Sequence, residues 1–381
     1  MLDFTIHLAG PLSTMILGEM GAEVIKVEPP GRGSPERAGA PFFNGLSMYF
    51  MGTGWNKRSV TINLKTEEGQ EIASKLASNS DVVVQNFRQG VAERLGIGYE
   101  KLKSVNKKLI YCSIMGFDEG HPYYGKPSFD MIAQALSGLV SLYADDGRRP
   151  AVPLSLVDIT TGMIASQAIL AALYNRERRD AGEHVKVSLF QSAMFLLSPT
   201  VQGLLQGLEH NINSFTRVEH VGFMGVFTDI NGDLFAVEAP DDSFFSKMAL
   251  IPELKPIIEK NEYATKSDRA MRWRELDAEI QGVFVTRKRD YWLTELDKLG
   301  VPCAPVLSVD EAFSENSRYL ETVTDKKYGQ VRTVGYPAKF SISGKADIIA
   351  PPQLGSDTDE VLSELGYDNH SIQELRSRGI I

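Results

Sequence analysis

The chain has 381 residues, and 43% of them are hydrophobic, so it is long enough to bury a substantial core in two or three domains. Its 49 acidic and 40 basic residues give a formal net charge of −9, which argues against a general nucleic-acid or anionic-membrane surface but leaves a local basic pocket open. The two cysteines, Cys112 and Cys303, stand far apart, which argues against a disulfide framework or a zinc site.

The first part of the chain alternates between strand and helix patterns. Strands are predicted at 2–6, 23–27, 60–64, 81–84 and 109–114, with helices at 12–20, 67–77 and 99–106. The first turn is placed at Ala9-Gly10-Pro11. This alternation favours a parallel sheet covered by helices on both faces. Because the first turn lacks G-x-G-x-x-G, the sheet alone does not indicate a dinucleotide.

The pattern changes after a strand at 185–187. Glycine-rich turns follow, with a hairpin at 231–233, helices at 243–251 and 291–299, a strand at 331–334 and a last helix from about 358. We therefore predict an α/β protein. A large Rossmann-like domain comprises residues 1–187 and 325–381, and a smaller α+β domain comprises residues 188–324.

The location of the protein is predicted from its N-terminus and its apolar segments. The first residues carry neither a basic flank nor an apolar signal core. The apolar stretch at 163–174 is expected to be too short and too interrupted to span a bilayer. We therefore expect a soluble, cytoplasmic protein.

Asp158 precedes a segment with the apolar spacing of a long helix. Aspartate is a preferred N-cap residue, so a structural capping role is one interpretation. The free N–H groups and the dipole of a helix N-terminus also stabilise an ionised carboxylate, which gives a second interpretation as a nucleophile. The local pattern alone favours the capping role, and we expect Asp158 to cap the helix.

Segments distributed along almost the whole chain match one known family in order and spacing. They are 8–11, 21–28, 56–59, 86–90, 94–96, 129–130, 134–138, 158–162, 171–174, 182–185, 300–306 and 351–355. In these segments the chain resembles the family III CoA-transferases, a group that includes formyl-CoA transferase, carnitine CoA-transferase and alpha-methylacyl-CoA racemase.

The resemblance implies a covalent role for Asp158. In this family the matching aspartate attacks an acyl-CoA thioester to give a mixed anhydride, and the CoA thiolate then forms an aspartyl-CoA thioester. The acceptor carboxylate reverses these steps. Such attack conserves the activation of the thioester, and backbone N–H groups are expected to stabilise the developing oxyanions.

The resemblance also implies where CoA binds and what else the enzyme needs. The matching contact positions are Leu8, Ala9, Lys65, Asn86, Phe87, Arg88, Arg94, Leu95, Lys126 and Phe129. Among the cations we favour Arg88 and Arg94 over Lys65, because each is beside a turn that follows a buried strand. The family needs no metal or permanent cofactor, carries CoA as a substrate group, and forms an interlocked homodimer.

Two alternatives stay open. One is 2-methylacyl-CoA racemisation, but the racemase branch has a histidine where this chain has Phe129, and Asp241 is better explained as a helix cap. The other is a CoA-binding subunit of a hetero-oligomeric transferase. His184 is interpreted as structural, whereas His7 is nearer the expected CoA site.

One segment bears on the choice of acceptor. The glycine-rich substrate loop of formyl-CoA transferase corresponds to residues 221–225. There the side chains of Phe223 and Met224 suggest an acceptor or acyl chain less polar than oxalate.

Overall fold

A computed structural model describes residues 1–143, 154–207, 222–344 and 346–381. They divide into two compact units, Met1–Leu196 with Arg318–Ile381 and Leu197–Ser317. A six-stranded parallel sheet and smaller antiparallel sheets are present, so the expected α/β class is confirmed.

The first unit contains the parallel sheet. The strands of the whole unit are β1 (Leu2–Asp3), β2 (Ile25–Glu28), β3 (Phe42–Phe43), β4 (Leu46–Ser47), β5 (Arg58–Thr61), β6 (Val82–Gln85), β7 (Ile110–Met115), β8 (His184–Ser188), β12 (Leu320–Asp325) and β13 (Gly329–Val334). Its helices are α1 (Ala9–Glu19), α2 (Met48–Met51), α3 (Glu67–Ser78), α4 (Val91–Arg94), α5 (Tyr99–Val105), α6 (Asp130–Leu136), α7 (Leu156–Arg179), α8 (Leu189–Leu197), α16 (Thr358–Glu364) and α17 (Asn369–Ser377).

The strand order of the large sheet is β5-β2-β1-β6-β7-β8, and all neighbours are parallel. The central strand β1 pairs with β2 on one side and with β6 on the other, with Leu2 opposite both Ile25 and Val83. The chain therefore builds the sheet outward from β1 in one direction and then, from β6, in the other. The gap between the ends of β1 and β6 is the switch point, where such sheets bind ligands.

Helices cover both faces of this sheet. On one face, apolar side chains of the strands pack with those of α3, α5, α16 and α17, and this core includes Val60, Val83, Ile72, Leu102 and Leu362. On the other face α1 contacts β1 and β6, while α7 contacts β7, β8 and α1. Strands buried on both faces explain the apolar run Val82-Val83-Val84.

The sequence prediction was wrong about the first turn. Ala9-Gly10-Pro11 forms the first turn of α1, and the reversal of the chain occurs at residues 4–8 instead. Pro11 is tolerated there because the first N–H groups of a helix have no acceptor within the helix.

Helix α7 extends well beyond the apolar stretch at 163–174. It has 24 residues and, in the described part of the chain, is the one helix long and apolar enough to cross a membrane by length and composition alone. Packing accounts for part of this apolar character, since Val157, Ala165, Ile169 and Ala172 are buried. The core helix of a soluble protein passes the same test.

The second unit is built on a three-stranded antiparallel sheet. Its strands are β9 (Phe223–Thr228), β10 (Leu234–Ala239) and β11 (Cys303–Pro305), and its helices are α9 (Gln202–Leu205), α10 (Asp242–Lys247), α11 (Lys255–Ile258), α12 (Lys266–Met271), α13 (Trp273–Phe284), α14 (Arg289–Lys298) and α15 (Val309–Glu315). The predicted hairpin joins β9 to β10. Asp241 Oδ1 accepts the N–H groups of Ser243 and Phe244, so its predicted capping role is confirmed.

The segment compared with a substrate loop is mostly a strand. Phe223 is buried in the core of the second unit, which corrects the expectation that it faces a substrate, while Met224 is exposed. Val221 lies outside the described residues. Alternation along β9 explains the difference, because successive side chains of a strand point to opposite faces.

Candidate active site

A crevice of about 460 Å³ opens at the switch point of the parallel sheet. The segment after β1 lines it with Ile6 and His7, and the segment after β6 lines it with Asn86 to Glu93. The end of β7 and the loop that follows contribute a third wall, which includes Lys126 and Phe129. Of the predicted contact residues, the structure therefore brings five together here: Asn86, Phe87, Arg88, Lys126 and Phe129.

Asn86 joins the two strand ends. Its Nδ2 donates to Ile6 O at 2.7 Å, and its Oδ1 accepts from Ile6 N at 2.8 Å. Both polar atoms of the amide thus bind one residue of the opposite loop. Asn86 fixes the width of the crevice at the switch point, and its side chain is engaged in that structural contact.

The cationic side chains at the crevice differ in their partners. Lys186 Nζ forms an ion pair with Glu119 at 2.6 Å. Lys126 Nζ lies 4.2 Å from the centroid of the Tyr123 ring, and Arg88 is exposed. Arg and Lys are the usual partners of phosphate groups. Arg88 and Lys126 are therefore the cations best placed to meet an anionic ligand.

The other predicted contact residues do not line this crevice in the described part of the chain. Arg94 is exposed, but its Nη1 is near Gly90, which does line it. Leu95 packs partly buried against the core of the sheet. Leu8 and Ala9 are at the start of α1, and Lys65 is exposed in the loop between β5 and α3.

Asp158 is on α7, three positions beyond the N-cap residue Ser155. The expectation that it caps this helix is wrong. Asp130 supplies that function from the start of α6, because its Oδ1 accepts Val157 N–H at 2.8 Å and Asp158 N–H at 3.0 Å. Gln134 Nε2 donates to the other oxygen of Asp130.

The electrostatic surroundings of Asp158 also differ from the sequence expectation. Burial, followed by the negative charge of Asp130, raises the pKa of Asp158 to about 7. Two of the N–H groups expected to stabilise its ionised form, those of Val157 and Asp158, are bound to Asp130 instead. They are therefore also not free to stabilise an oxyanion. Asp158 is a carboxyl group poised between its protonated and ionised forms near neutral pH.

Phe129 and Asp130 connect the crevice to Asp158. Phe129 lines the crevice, and the next residue, Asp130, binds the backbone of Asp158. One turn beyond Asp158, a Cβ atom on Gly162 would lie 2.8 Å from Ala9 O, so α7 approaches α1 closely where α1 begins. Both contacts place the start of α7 beside the β1 end of the crevice.

A polar chain at the crevice was not predicted from the sequence. Gln85 Nε2 donates to Ser113 Oγ at 2.9 Å, and Ser113 Oγ is 2.8 Å from His184 Nε2. His184 also contacts the rings of Tyr99 and Tyr111, and burial lowers its pKa. The sequence does carry a signal for it, since Gln85 and Ser113 are polar residues within buried, mainly apolar strands.

No group of three or more His, Cys, Asp or Glu side chains in the described ranges is arranged to hold a metal ion. Cys112 and Cys303 are both free. Burial raises the pKa of the Cys112 thiol to about 12, so this group is a poor nucleophile.

Comparison with known proteins identifies a single family. Residues 1–358 match the model of CoA-transferase family III. The chain is 32% identical over 388 residues to the succinyl-CoA:glutarate CoA-transferase of Mus musculus, covering 100% of this chain and 88% of that protein. It is 31% identical over 405 residues to the formyl-CoA:oxalate CoA-transferase of Streptomyces coelicolor, covering 100% and 97%.

Solved structures share the fold of this chain over nearly its whole length. A CaiB/BaiF family protein from Brucella suis superposes with a TM-score of 0.81 at 29% identity, covering 96% of this chain and 97% of that one. A hypothetical protein from Mycobacterium tuberculosis superposes with a TM-score of 0.82 at 26% identity, covering 94% and 96%. The chain is therefore an enzyme that belongs to the family III CoA-transferases.

Proposed function

We propose that this enzyme transfers CoA from an acyl-CoA donor to a carboxylic acid acceptor through covalent intermediates on Asp158. The observation that carries the proposal is the environment of this carboxyl group. It is partly buried, adjoins a ligand crevice through Phe129 and Asp130, and titrates near neutral pH. A carboxylate with a raised pKa is a stronger nucleophile than an exposed one when it is ionised.

The first half of the reaction moves CoA onto the enzyme. An Asp158 oxygen attacks the thioester carbonyl carbon, the C–S bond breaks, and CoA leaves as its thiolate. The thiolate then attacks the Asp158 carbonyl carbon of the resulting anhydride. The donor acid departs as a carboxylate, and an aspartyl-CoA thioester remains.

The second half repeats these steps with the acceptor. Its carboxylate attacks the aspartyl thioester, and the released thiolate attacks the acceptor carbonyl carbon of the new anhydride. Acyl-CoA product leaves, and Asp158 is regenerated as a carboxylate. No proton is gained or lost overall, so the reaction needs no permanent acid or base catalyst.

Asp130 contributes to the energetics of these steps. Two negative charges beside each other are unfavourable, and that repulsion is part of the raised pKa of Asp158. Acylation removes the charge of Asp158 and so relieves the repulsion. Asp130 therefore favours the covalent intermediates over the free carboxylate, while its hydrogen bonds hold the start of α7.

For the substrates we propose a short dicarboxylate and its CoA thioester. A relative that matches this chain over its whole length is named succinyl-CoA:glutarate CoA-transferase. The crevice is lined by the cations Arg88 and Lys126, which suits an anionic ligand. A panel of succinyl-CoA with glutarate, oxalate and a monocarboxylate would rank the acceptors.

The covalent route is tested by trapping. The protein is incubated with succinyl-CoA, treated with hydroxylamine or borohydride, digested and analysed by mass spectrometry. We expect a modification at Asp158 that is absent from Asp158→Ala and retained in Glu177→Gln, an exposed carboxylate at the other end of the same helix. Full transferase activity in Asp158→Ala would rule out the proposed nucleophile.

We also propose that the active form is a homodimer, as the family resemblance implies. Large apolar side chains on α7 and α8 are exposed in the single chain, among them Met163, Leu170 and Phe195. Exposed apolar surface of this kind is typical of association sites. Light scattering on the purified protein should give twice the mass of the chain, and a single-chain mass at enzymatic concentrations would contradict the proposal.

A further inference from the structure

His7 adopts an unusual backbone conformation at the edge of the crevice. Its φ is 67°, in the left-handed region that residues other than glycine rarely occupy. The imidazole ring is exposed, lines the crevice and meets the ring of Phe129 edge-on, with 5.4 Å between centroids. Strained residues of this kind persist where the surrounding structure fixes them, and they are concentrated at functional sites.

The turn that carries His7 is held by side chains rather than by neighbouring backbone. Asp3 Oδ1 accepts Thr5 N–H at 2.8 Å, and Lys26 Nζ donates to Thr5 O at 2.8 Å. Asn86 binds both backbone groups of Ile6, as described above. Glu36 Oε2 accepts His7 N–H at 3.2 Å. Successive residues of the turn are thus fixed by side chains from four separate parts of the sequence.

Glu36 itself belongs to a buried network of charges. Its Oε1 is 3.3 Å from Lys26 Nζ, while Lys57 Nζ is 2.8 Å from Asp3 Oδ2. All four side chains are buried, and their two positive and two negative charges balance. Burying four ions is unfavourable unless they are paired, and such networks chiefly fix a geometry. Here the geometry fixed is that of the turn beneath His7.

We propose that His7 is a substrate-binding residue whose imidazole donates a hydrogen bond to a carboxylate or acyl oxygen at Asp158, and that Glu36 is its positioning residue. The proposal rests on the proposed function and adds a contact to it. The position of Phe129 indicates which end of the ligand His7 meets. Phe129 contacts His7, and the next residue, Asp130, binds the backbone of Asp158. His7 therefore serves the acyl end of the ligand.

The first test observes the imidazole directly and does not require turnover. Ring resonances of the six histidines are recorded by NMR, and that of His7 is assigned by its loss in His7→Gln. Glutarate is then added in the presence of CoA. We expect the His7 signal to shift on addition of glutarate and the signal of His370, which does not line the crevice, to stay in place. An unchanged His7 signal at saturating glutarate would overturn the proposal.

The second test distinguishes a contact of His7 with the acceptor from a contact with the phosphates of CoA. In His7→Ala we expect the acceptor KM to rise at least about tenfold, since hydrogen bonds to charged groups contribute that much. CoA affinity, measured by calorimetry, should be unchanged, and His7→Gln should recover part of the loss through its amide donor. A fall in CoA affinity with an unchanged acceptor KM would assign His7 to a phosphate and overturn the proposal. His370→Ala, an exposed histidine on α17, is the control.

Glu36 is tested as a positioning residue. Glu36→Ala should raise the acceptor KM as His7→Ala does, although the imidazole is still present, and Glu36→Gln should be milder because it keeps an acceptor oxygen for His7 N–H. An unchanged acceptor KM in folded Glu36→Ala would overturn its positioning role. If Glu36→Ala does not fold, as judged by circular dichroism, Glu36→Gln and the His7 variants carry the test.

Failure of the proposed function would look different from failure of this inference. Without an adduct on Asp158, the covalent route fails, yet the His7 resonance would still report whether a carboxylate binds. With an adduct but no response at His7, only the assignment of His7 fails.

Discussion

Asp130 Oδ1 lies 3.0 Å from the backbone nitrogen of Asp158, so the residue that caps helix α7 also places a second carboxylate beside the proposed nucleophile. One contact therefore has two effects. It fixes the start of the helix, and it opposes ionisation of the group that the helix presents.

Asp130→Asn separates these two effects. An asparagine keeps an oxygen that can accept the N–H groups of Val157 and Asp158, but it has no charge. The pKa of Asp158 should fall, because one of the two causes that raise it is removed. The acidic limb of kcat/KM for the acyl-CoA, measured against pH, should therefore shift to lower pH.

A second variant provides the comparison for Asp130→Asn. Asp130→Ala also loses the cap, and should lower the free energy of unfolding by about 1 kcal/mol. If Asp130→Asn leaves the midpoint of the acidic limb where it is in the native enzyme, Asp130 does not control the ionisation of Asp158.

Asp158→Asn should stabilise the protein, and more so at higher pH. The folded pKa of Asp158 is about 7 against an ordinary value of 3.8, so the folded state holds a proton that the unfolded state has lost. Stability therefore falls as pH rises between these two values and stays reduced above them. Asparagine removes that cost, which is of the order of a few kcal/mol above about pH 7.

Thermal unfolding at a series of pH values measures this difference. Asp158→Asn should unfold at a higher temperature than the native enzyme at about pH 8, and the gap should close towards about pH 4. A gap that does not depend on pH would mean that Asp158 has an ordinary pKa in the folded protein.

Asn86→Ala should weaken both stability and ligand binding. The substitution removes both hydrogen bonds to Ile6 and leaves polar backbone groups unsatisfied, at a cost of about 1–3 kcal/mol. The ends of β1 and β6 are then free to separate, so we expect the Kd of CoA to rise. Calorimetry measures that change, and a normal Kd in a destabilised variant would confine Asn86 to a structural role.

Gly162→Ala should destabilise the contact between α1 and α7. The added Cβ would lie 2.8 Å from Ala9 O, a backbone atom that moves only with its helix. We expect a loss of about 1–3 kcal/mol, measured by urea unfolding, together with lower kcat because the start of α7 moves. The control is Gly282→Ala on α13, where nothing lies within 4 Å of the added atom. There the better helix propensity of alanine should leave stability unchanged or slightly raised.

The sequence predicted the elements of the sheet well because their signals are local. Buried valines at 82–84, a helix pattern after Thr66 and the hairpin at Asn231 to Asp233 each depend on neighbouring residues. The start of α1 was misplaced because Gly and Pro usually mark turns, although neither is costly in the first turn of a helix.

The electrostatics of the site depended on contacts that sequence spacing does not reveal. Asp130 and Asp158 are separated by 28 residues, and the cap, the repulsion and the raised pKa arise only when α6 meets α7. The side chain of Glu36 accepts a hydrogen bond from the backbone N–H of His7, and this contact leaves no trace in the pattern of residue types. The family resemblance predicts the identity of Asp158 as a site residue, whereas the contacts that hold it depend on the fold.

The most direct measurement of the central claim follows an oxygen atom through the proposed anhydride. When the acceptor carboxylate attacks the aspartyl thioester, one of its oxygens becomes the bridging atom, and attack of the thiolate on the acceptor carbonyl leaves that oxygen on Asp158. Turnover with an acceptor labelled with heavy oxygen should therefore yield a heavier peptide containing Asp158, detected by mass spectrometry. Turnover that leaves this peptide unlabelled would contradict covalent catalysis by Asp158.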